Sequence, residues 1–232
     1  MSGKKYEQVK GLIEERDYEI DEAVDLLPKL RTAKFNETVE MSFLLGVDPK
    51  QSDQNIRGMV SLPAGTGKKV RVLVFARGEK VKEAEEAGAD FAGSDELAKK
   101  IQDGWFDFDV AIATPDAMDV VGKLGRVLGP RGLMPNPKLG TVTNDVKKTV
   151  TEMKAGKVEY RVDKFANIHV AVGKSDFPKD SLIKNISALL DAIIKARPAS
   201  AKGQFIRKCH IALTMSPAIK INVSKLIKTA VK

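Results

Sequence analysis

The sequence has one cysteine, Cys209, two histidines, one tryptophan and no apolar stretch near the roughly 18 residues of a membrane span. A single cysteine excludes an internal disulfide and a cysteine metal site; it agrees with a reducing cytoplasm and reads as a buried, inert thiol. His169 and His210 fall in expected strands without paired cysteines, an H-E-x-x-H run or a nucleophile elbow, so both read as structural. No metal, cofactor or catalytic residue is expected. The opening MSGKKYEQVKGLIEERDYEIDE has basic residues with no apolar run behind them, so no export signal is expected.

Acidic residues are missing from one end of the chain. Residues 1–66 carry 9 basic and 12 acidic groups, 67–159 carry 16 and 15, and 160–232 carry 14 and 4; from Ala192 to Lys232 there is no Asp or Glu. The net charge of +8 therefore comes from the last third, an electrostatic footprint for a polyanion. The basic residues are spread through strand-like and loop-like sequence and are not gathered on an amphipathic helix. That pattern favours nucleic acid over a membrane surface.

With 232 residues and 43% hydrophobic content the chain can bury a sizeable core, as one large domain or two modest ones. The first sixty residues read as helix, helix, strand. Asp21 is a candidate cap for a segment clustering Ala23, Val24, Leu26, Leu27 and Leu30, with Pro28 a bend or a fresh start. Thr38 to Val47 alternates, with Val39, Met41, Phe43 and Leu45 on one side, which predicts a half-buried antiparallel strand. Val70 to Phe75 is instead nearly continuous in apolar residues, as in strands covered on both faces. Helices at 79–88, 94–102 and 116–121 then alternate with strands near Phe91 and at 110–113, predicting a parallel, doubly wound sheet. After a helix at 144–154 and a strand at 158–161 the style becomes antiparallel: a strand at 167–172, a helix at 179–197 and strands at 208–215 and 219–223.

Neither outer piece makes a domain alone. The expected fold is α/β with two domains: a discontinuous α+β outer domain, 1–66 plus 160–232, with a largely antiparallel sheet, and an inserted Rossmann-like domain, 67–159, with a parallel sheet. Two crossings between them permit hinge motion. Gly65-Thr66-Gly67-Lys68 fails as a phosphate loop, since Leu62 stands where the first Gly belongs and Lys69 where Ser or Thr is needed. The G-x-x-G pairs at Gly122/Gly125 and Gly129/Gly132 are followed by prolines that exclude the helix of a K-homology clamp.

Leu128 to Lys138, LGPRGLMPNPK, interrupts this periodicity. Three prolines and two glycines leave no room for a helix or central strand. Arg126, Arg131 and Lys138 lie in or beside it with no acidic residue from Leu124 through Val142, so it is either a rigid connector or a phosphate-binding surface. Lys34 and Phe35, a cation beside an aromatic at a strand entry, suit phosphate with ribose or base; Phe35 as core is the equal alternative.

The run GKLGRVLGPRGLMPNPKLGTVT (122–143), with AKFNETVE (33–40), YRVDKFANIHVAVGK (160–174) and the ending KGQFIRKCHIALTMSPAIKIN, resembles the ribosomal protein L-one family, bacterial type. The resemblance covers essentially the whole chain and implies the same two-domain architecture. It implies a non-enzymatic constituent of the large ribosomal subunit that binds ribosomal RNA at the mobile stalk as a monomer within the ribosome. It also implies contact with exit-site tRNA, repression of its own operon mRNA, and no DNA partner. Carried over by motif, Lys34, Phe35, Thr38, Arg161, Asp163, Lys164, Thr214, Met215 and Ser216 would form the RNA surface, with Asp163 accepting from a ribose hydroxyl or orienting a base. Ser216 departs from the family's Gly, and Ile211, Ala212 and Leu213 stand where Ser or Thr is usual, leaving fewer side-chain donors. A nucleotide-binding enzyme is the rival reading, but Ala76-Arg77-Gly78-Glu79 lacks the glycine-rich turn it needs. A non-ribosomal RNA-binding regulator and a scaffold that binds no RNA are the others.

Overall fold

The computed structural model describes residues 3–230; positions 1–2 and 231–232, the ends of the expected outer domain, lie outside the described residues. Helices α1 (Lys4–Lys10) and α2 (Ile20–Leu30) precede strands β1 (Thr38–Leu45) and β2 (Arg57–Ser61). There follow β3 (Val72–Phe75), α3 (Glu79–Glu86), β4 (Phe91–Gly93), α4 (Asp95–Gln102), β5 (Val110–Ala113), α5 (Met118–Lys123), α6 (Gly125–Leu128) and α7 (Val146–Lys154). Last come β6 (Lys157–Arg161), β7 (Asn167–Lys174), α8 (Lys179–Lys195), β8 (Ile206–Leu213), β9 (Ile219–Ile221) and α9 (Val223–Ala230). Two compact units result: one takes the chain up to Gly67 together with the chain from Val158 onward, the other is Lys68–Lys157.

The first unit holds a four-stranded antiparallel sheet in the order β7-β1-β8-β9 and a two-stranded ribbon of β2 and β6. Alternation sets the faces: Val39, Met41, Phe43 and Leu45 are buried with Ile168, Val170, Val172, Cys209, Ile211 and Leu213 beneath α2 and α8. Leu182, Ile186, Leu189, Leu190 and Ile193 form the matching stripe of α8. Asn185 interrupts that stripe, fully buried, and its amide makes three bonds: it accepts from Ala64 N and donates to Gly65 O and Val172 O.

The second unit holds a parallel sheet, β4-β3-β5. All four residues of β3 are buried, because Leu73 and Phe75 face α4, α5 and α6 while α3 and α7 pack from the other side. Helix α7 is capped by Asp145, whose carboxylate accepts from Lys148 N at 3.2 Å.

Several expected boundaries move. Pro28 does not restart α2; it lies in the last turn, where the missing N–H costs one bond and the stripe Ile20, Ala23, Val24, Leu27, Leu30 carries the helix on. That helix starts at Ile20, so Asp21 is a first-turn residue, not the cap. Helix α8 stops at Lys195, two residues short of the expected end before Pro198. Strand β9 ends at Ile221, since Asn222 instead caps α9, accepting from Lys225 N at 3.1 Å. Within LGPRGLMPNPK, Leu128 closes α6 and Pro137 opens a one-turn 3-10 helix through Leu139, so a short helical turn does fit there.

Candidate nucleic-acid interface

Strand β8 was expected to run to Met215 but ends at Leu213, and the reason shapes the site. Thr214 N donates to Thr38 O at 3.1 Å, as in a ladder. The return bond from Thr38 N goes to the Thr214 hydroxyl at 3.1 Å and not to a carbonyl, so pairing stops and the chain turns. Ser216 closes the turn: its Oγ accepts from Leu213 N at 2.9 Å and donates to Pro217 O at 3.1 Å.

Glu37 holds this turn to the strand entry. Its side chain is fully buried, with Oε1 accepting from Ala33 N at 3.3 Å and Oε2 from Met215 N at 2.8 Å. Arg31 donates to Phe35 O at 3.1 Å, and a bend at Lys34 and Phe35 turns the aromatic outward. Phe35 is 53% and Met215 55% exposed, which rules out core roles for both. Lys34, Phe35, Thr38, Thr214, Met215 and Ser216 thus gather at one end of the sheet.

Arg161, Asp163 and Lys164 do not join them. Leu45 N donates to Ala166 O at 2.9 Å and Leu44 pairs with Asn167, which fixes the β6–β7 turn at the opposite end of β1. At the strand rise of about 3.3 Å per residue, the two groups lie roughly 23 Å apart. Asp163 Oδ1 accepts from Phe165 N at 2.8 Å and from Asn167 N at 2.7 Å, while Oδ2 accepts from Asn167 Nδ2 at 3.2 Å. Burial pushes its pKa up, but the bonds from Asn167 and Phe165, with His169 nearby, outweigh burial and hold the carboxyl below its usual range. Most of its accepting capacity is therefore used within the turn. That turn, with Ala166 at φ 64°, raises Phe165 to 80% exposure, the highest among the large hydrophobic residues of the described chain. Phe165 is not among the residues expected from the sequence to form the RNA surface.

Between the two ends runs an uncovered sheet face. Thr38, Glu40, Ser42 and Leu44 point away from the core; on β7 they pair with Lys174, Ala171, His169 and Asn167, and on β8 the last three pair with Ala212, His210 and Lys208. Ser42 Oγ and His169 Nδ1 lie 2.9 Å apart. Partial burial, then Lys208 and Lys220, hold His210 below the usual histidine pKa, so it is neutral at pH 7. Both histidines thus belong to an open surface and not to the core. Lys34, Arg161 and Lys164 are exposed, and none is paired with a carboxylate among the described residues.

Arg126, Arg131 and Lys138 are exposed on the second unit. Arg131 lies over the Phe106 ring at 3.7 Å. Asn136 makes the loop rigid: its N–H donates to Thr141 Oγ1 at 2.7 Å and its Oδ1 accepts from Lys138 N at 2.8 Å. Gly132 adopts φ 72°, and a Cβ on Gly129 would meet Gly125 O at 2.6 Å, so the two glycines serve different needs.

Among the described residues no group of His, Cys, Asp and Glu is placed to hold a metal ion, and no helix is long and apolar enough to cross a membrane. Burial pushes the Cys209 thiol from 9.0 up to about 12, so it stays protonated and inert. The model of the ribosomal protein L1p/L10e family matches residues 27–217, a span that takes in both ends of the open sheet face and the whole second unit. On that match the chain belongs to the ribosomal protein L1p/L10e family.

Proposed function

We propose that the chain binds large-subunit ribosomal RNA at the mobile stalk along the open face of β7-β1-β8. The role is structural and not catalytic. The observation that carries this reading is the pair of exposed apolar groups, Phe35 with Met215 at one end of β1 and Phe165 at the other, each beside unpaired cations. A folded RNA laid along β1 would meet Lys34 at one end and Arg161 and Lys164 at the other, with ribose hydroxyls over Thr38, Ser42 and His169. Lys34, Phe35, Thr38, Thr214, Met215 and Ser216 form one contact group, and Arg161, Asp163 and Lys164 the other. In the second, Asp163 acts by shaping the turn that presents Lys164 and Phe165.

The first unit is, in this reading, the RNA-binding domain, and the second a Rossmann-like insert. The rigid cationic loop with Arg126, Arg131 and Lys138 supports a second contact, to exit-site tRNA. An operon mRNA shaped like the ribosomal site would compete for the sheet face and so repress its own translation. The test is a titration of the chain with a stalk fragment of large-subunit RNA. Binding should be lost on raising salt, should be weaker for DNA of the same sequence, and should be displaced by the operon mRNA. Salt-insensitive binding, or equal affinity for the DNA, would refute the reading.

A further inference from the structure

Helix α1 flanks the Phe35–Met215 end of the sheet and leaves a depression of about 530 Å³, lined by Lys5, Tyr6, Thr32, Ala33, Phe35 and Met215. Its walls are a phenol ring, a phenyl ring and a thioether, and its lining contains no carboxylate. The wall opposite α1 is held before any ligand arrives. Glu37 fixes the main chain at both Ala33 and Met215, and Arg31 fixes it at Phe35. Lys5 stands at the rim, and exposed Lys34 adjoins Phe35.

We propose that this depression takes one unpaired nucleobase of the bound RNA, stacked against Tyr6 and Phe35, an inference that rests on the RNA-binding reading above. The volume lies within the roughly 300 to 1,000 Å³ of small-ligand sites. A paired base has both faces in the stack and its edge against its partner, so aromatic walls can receive only a base outside the helix. An apolar, acid-free pocket with lysines at its rim matches a flat π system carried on a phosphate chain. Met215 shapes itself to whichever base enters, as an unbranched thioether does. The hydroxyl of Thr32 supplies a polar group for a base edge. The pocket is continuous with the proposed RNA surface, sharing Phe35 and Met215 with it.

No residue of α1 is buried, so Tyr6 can be changed without opening the core. The experiment uses the full chain and a stalk fragment of large-subunit RNA with 2-aminopurine placed at each unpaired position in turn. One position should change its fluorescence on binding and cease to do so with Tyr6→Ala. The same variant should bind about 5- to 150-fold more weakly, the range expected for one lost stack, at unchanged salt slope and melting temperature. Tyr6→Phe should bind as the native chain does. Affinity unchanged by Tyr6→Ala, a fluorescence response that survives it, or equal weakening by Tyr6→Phe would overturn the pocket while salt-sensitive binding by the native chain upheld the RNA reading. Failure of the native chain to bind the fragment would remove both.

Discussion

The buried carboxylate of Glu37 accepts the main-chain N–H of Met215 at 2.8 Å across 178 positions of sequence. Its other oxygen holds Ala33, so one side chain sets the spacing between the two loops that carry Phe35 and Met215. Glu37→Ala strands both N–H groups, and the expected loss is about 3 kcal/mol of stability, together with weaker RNA binding. Urea denaturation beside an RNA titration reads both. Unchanged values in the two would show that the loops hold their places without it.

Met215 and Ser216 should behave differently from one another. Met215 is 55% exposed, so Met215→Ala should leave the melting temperature nearly unchanged and weaken RNA binding by about 1 to 3 kcal/mol. The Ser216 hydroxyl is engaged within its own turn, so Ser216→Gly should cost about 1 kcal/mol of stability and preserve affinity for RNA. Reduced affinity in a fully folded Ser216→Gly would instead mark the hydroxyl as a phosphate donor.

Salt dependence should report the cations one by one. Lys34→Ala and Lys164→Ala should each lower the slope of log affinity against log salt by about 1, and the double variant by about 2. A slope unmoved by Lys164→Ala would take the β6–β7 turn off the interface.

A chain in which Gly67 is joined directly to Val158 should fold and keep most of its RNA affinity, because the cut follows the boundaries of the two units. Circular dichroism and the same titration decide it. A folded but non-binding product would shift the RNA surface to the cationic loop.

Cys209 gives a pH prediction of definite sign. In the fold its thiol holds its proton up to about 12, whereas the unfolded thiol loses it near 9.0. The folded state therefore binds more protons in that window, and stability falls as pH rises above about 9. Cys209→Ala should flatten this part of the stability profile. At pH 8 a thiol reagent should modify the native chain only as fast as it opens.

Alternation made much of this legible. The spacing of Val39, Met41, Phe43 and Leu45 gave β1 its inward face, and the same parity carried back two residues puts Glu37 inside. On β7, counting back from His169 puts Phe165 on the open side. These signals were present but outweighed by residue type, since carboxylates are seldom buried and phenylalanines seldom exposed. Phe35 was legible only in part: the Lys34–Phe35 pair suited RNA, but parity would bury the ring, and the bend at Lys34 and Phe35 reverses that. The separation of Lys34 from Lys164 along β1 depended on the pairing register, which no local pattern encodes.

The order of the sheet, β7-β1-β8-β9, also governs when it can exist. Strand β1 is synthesised before either of its neighbours, and both lie more than a hundred residues downstream. Until they emerge, a strand with a fully apolar side has two open edges, a hazard for mispairing between nascent chains that synthesis must outrun. Thr38 and Thr214, 176 positions apart, meet only once the second of them has been made. On the proposed reading, a nascent chain that stops short of β8 lacks Thr214, Met215 and Ser216 and so cannot yet compete for the RNA.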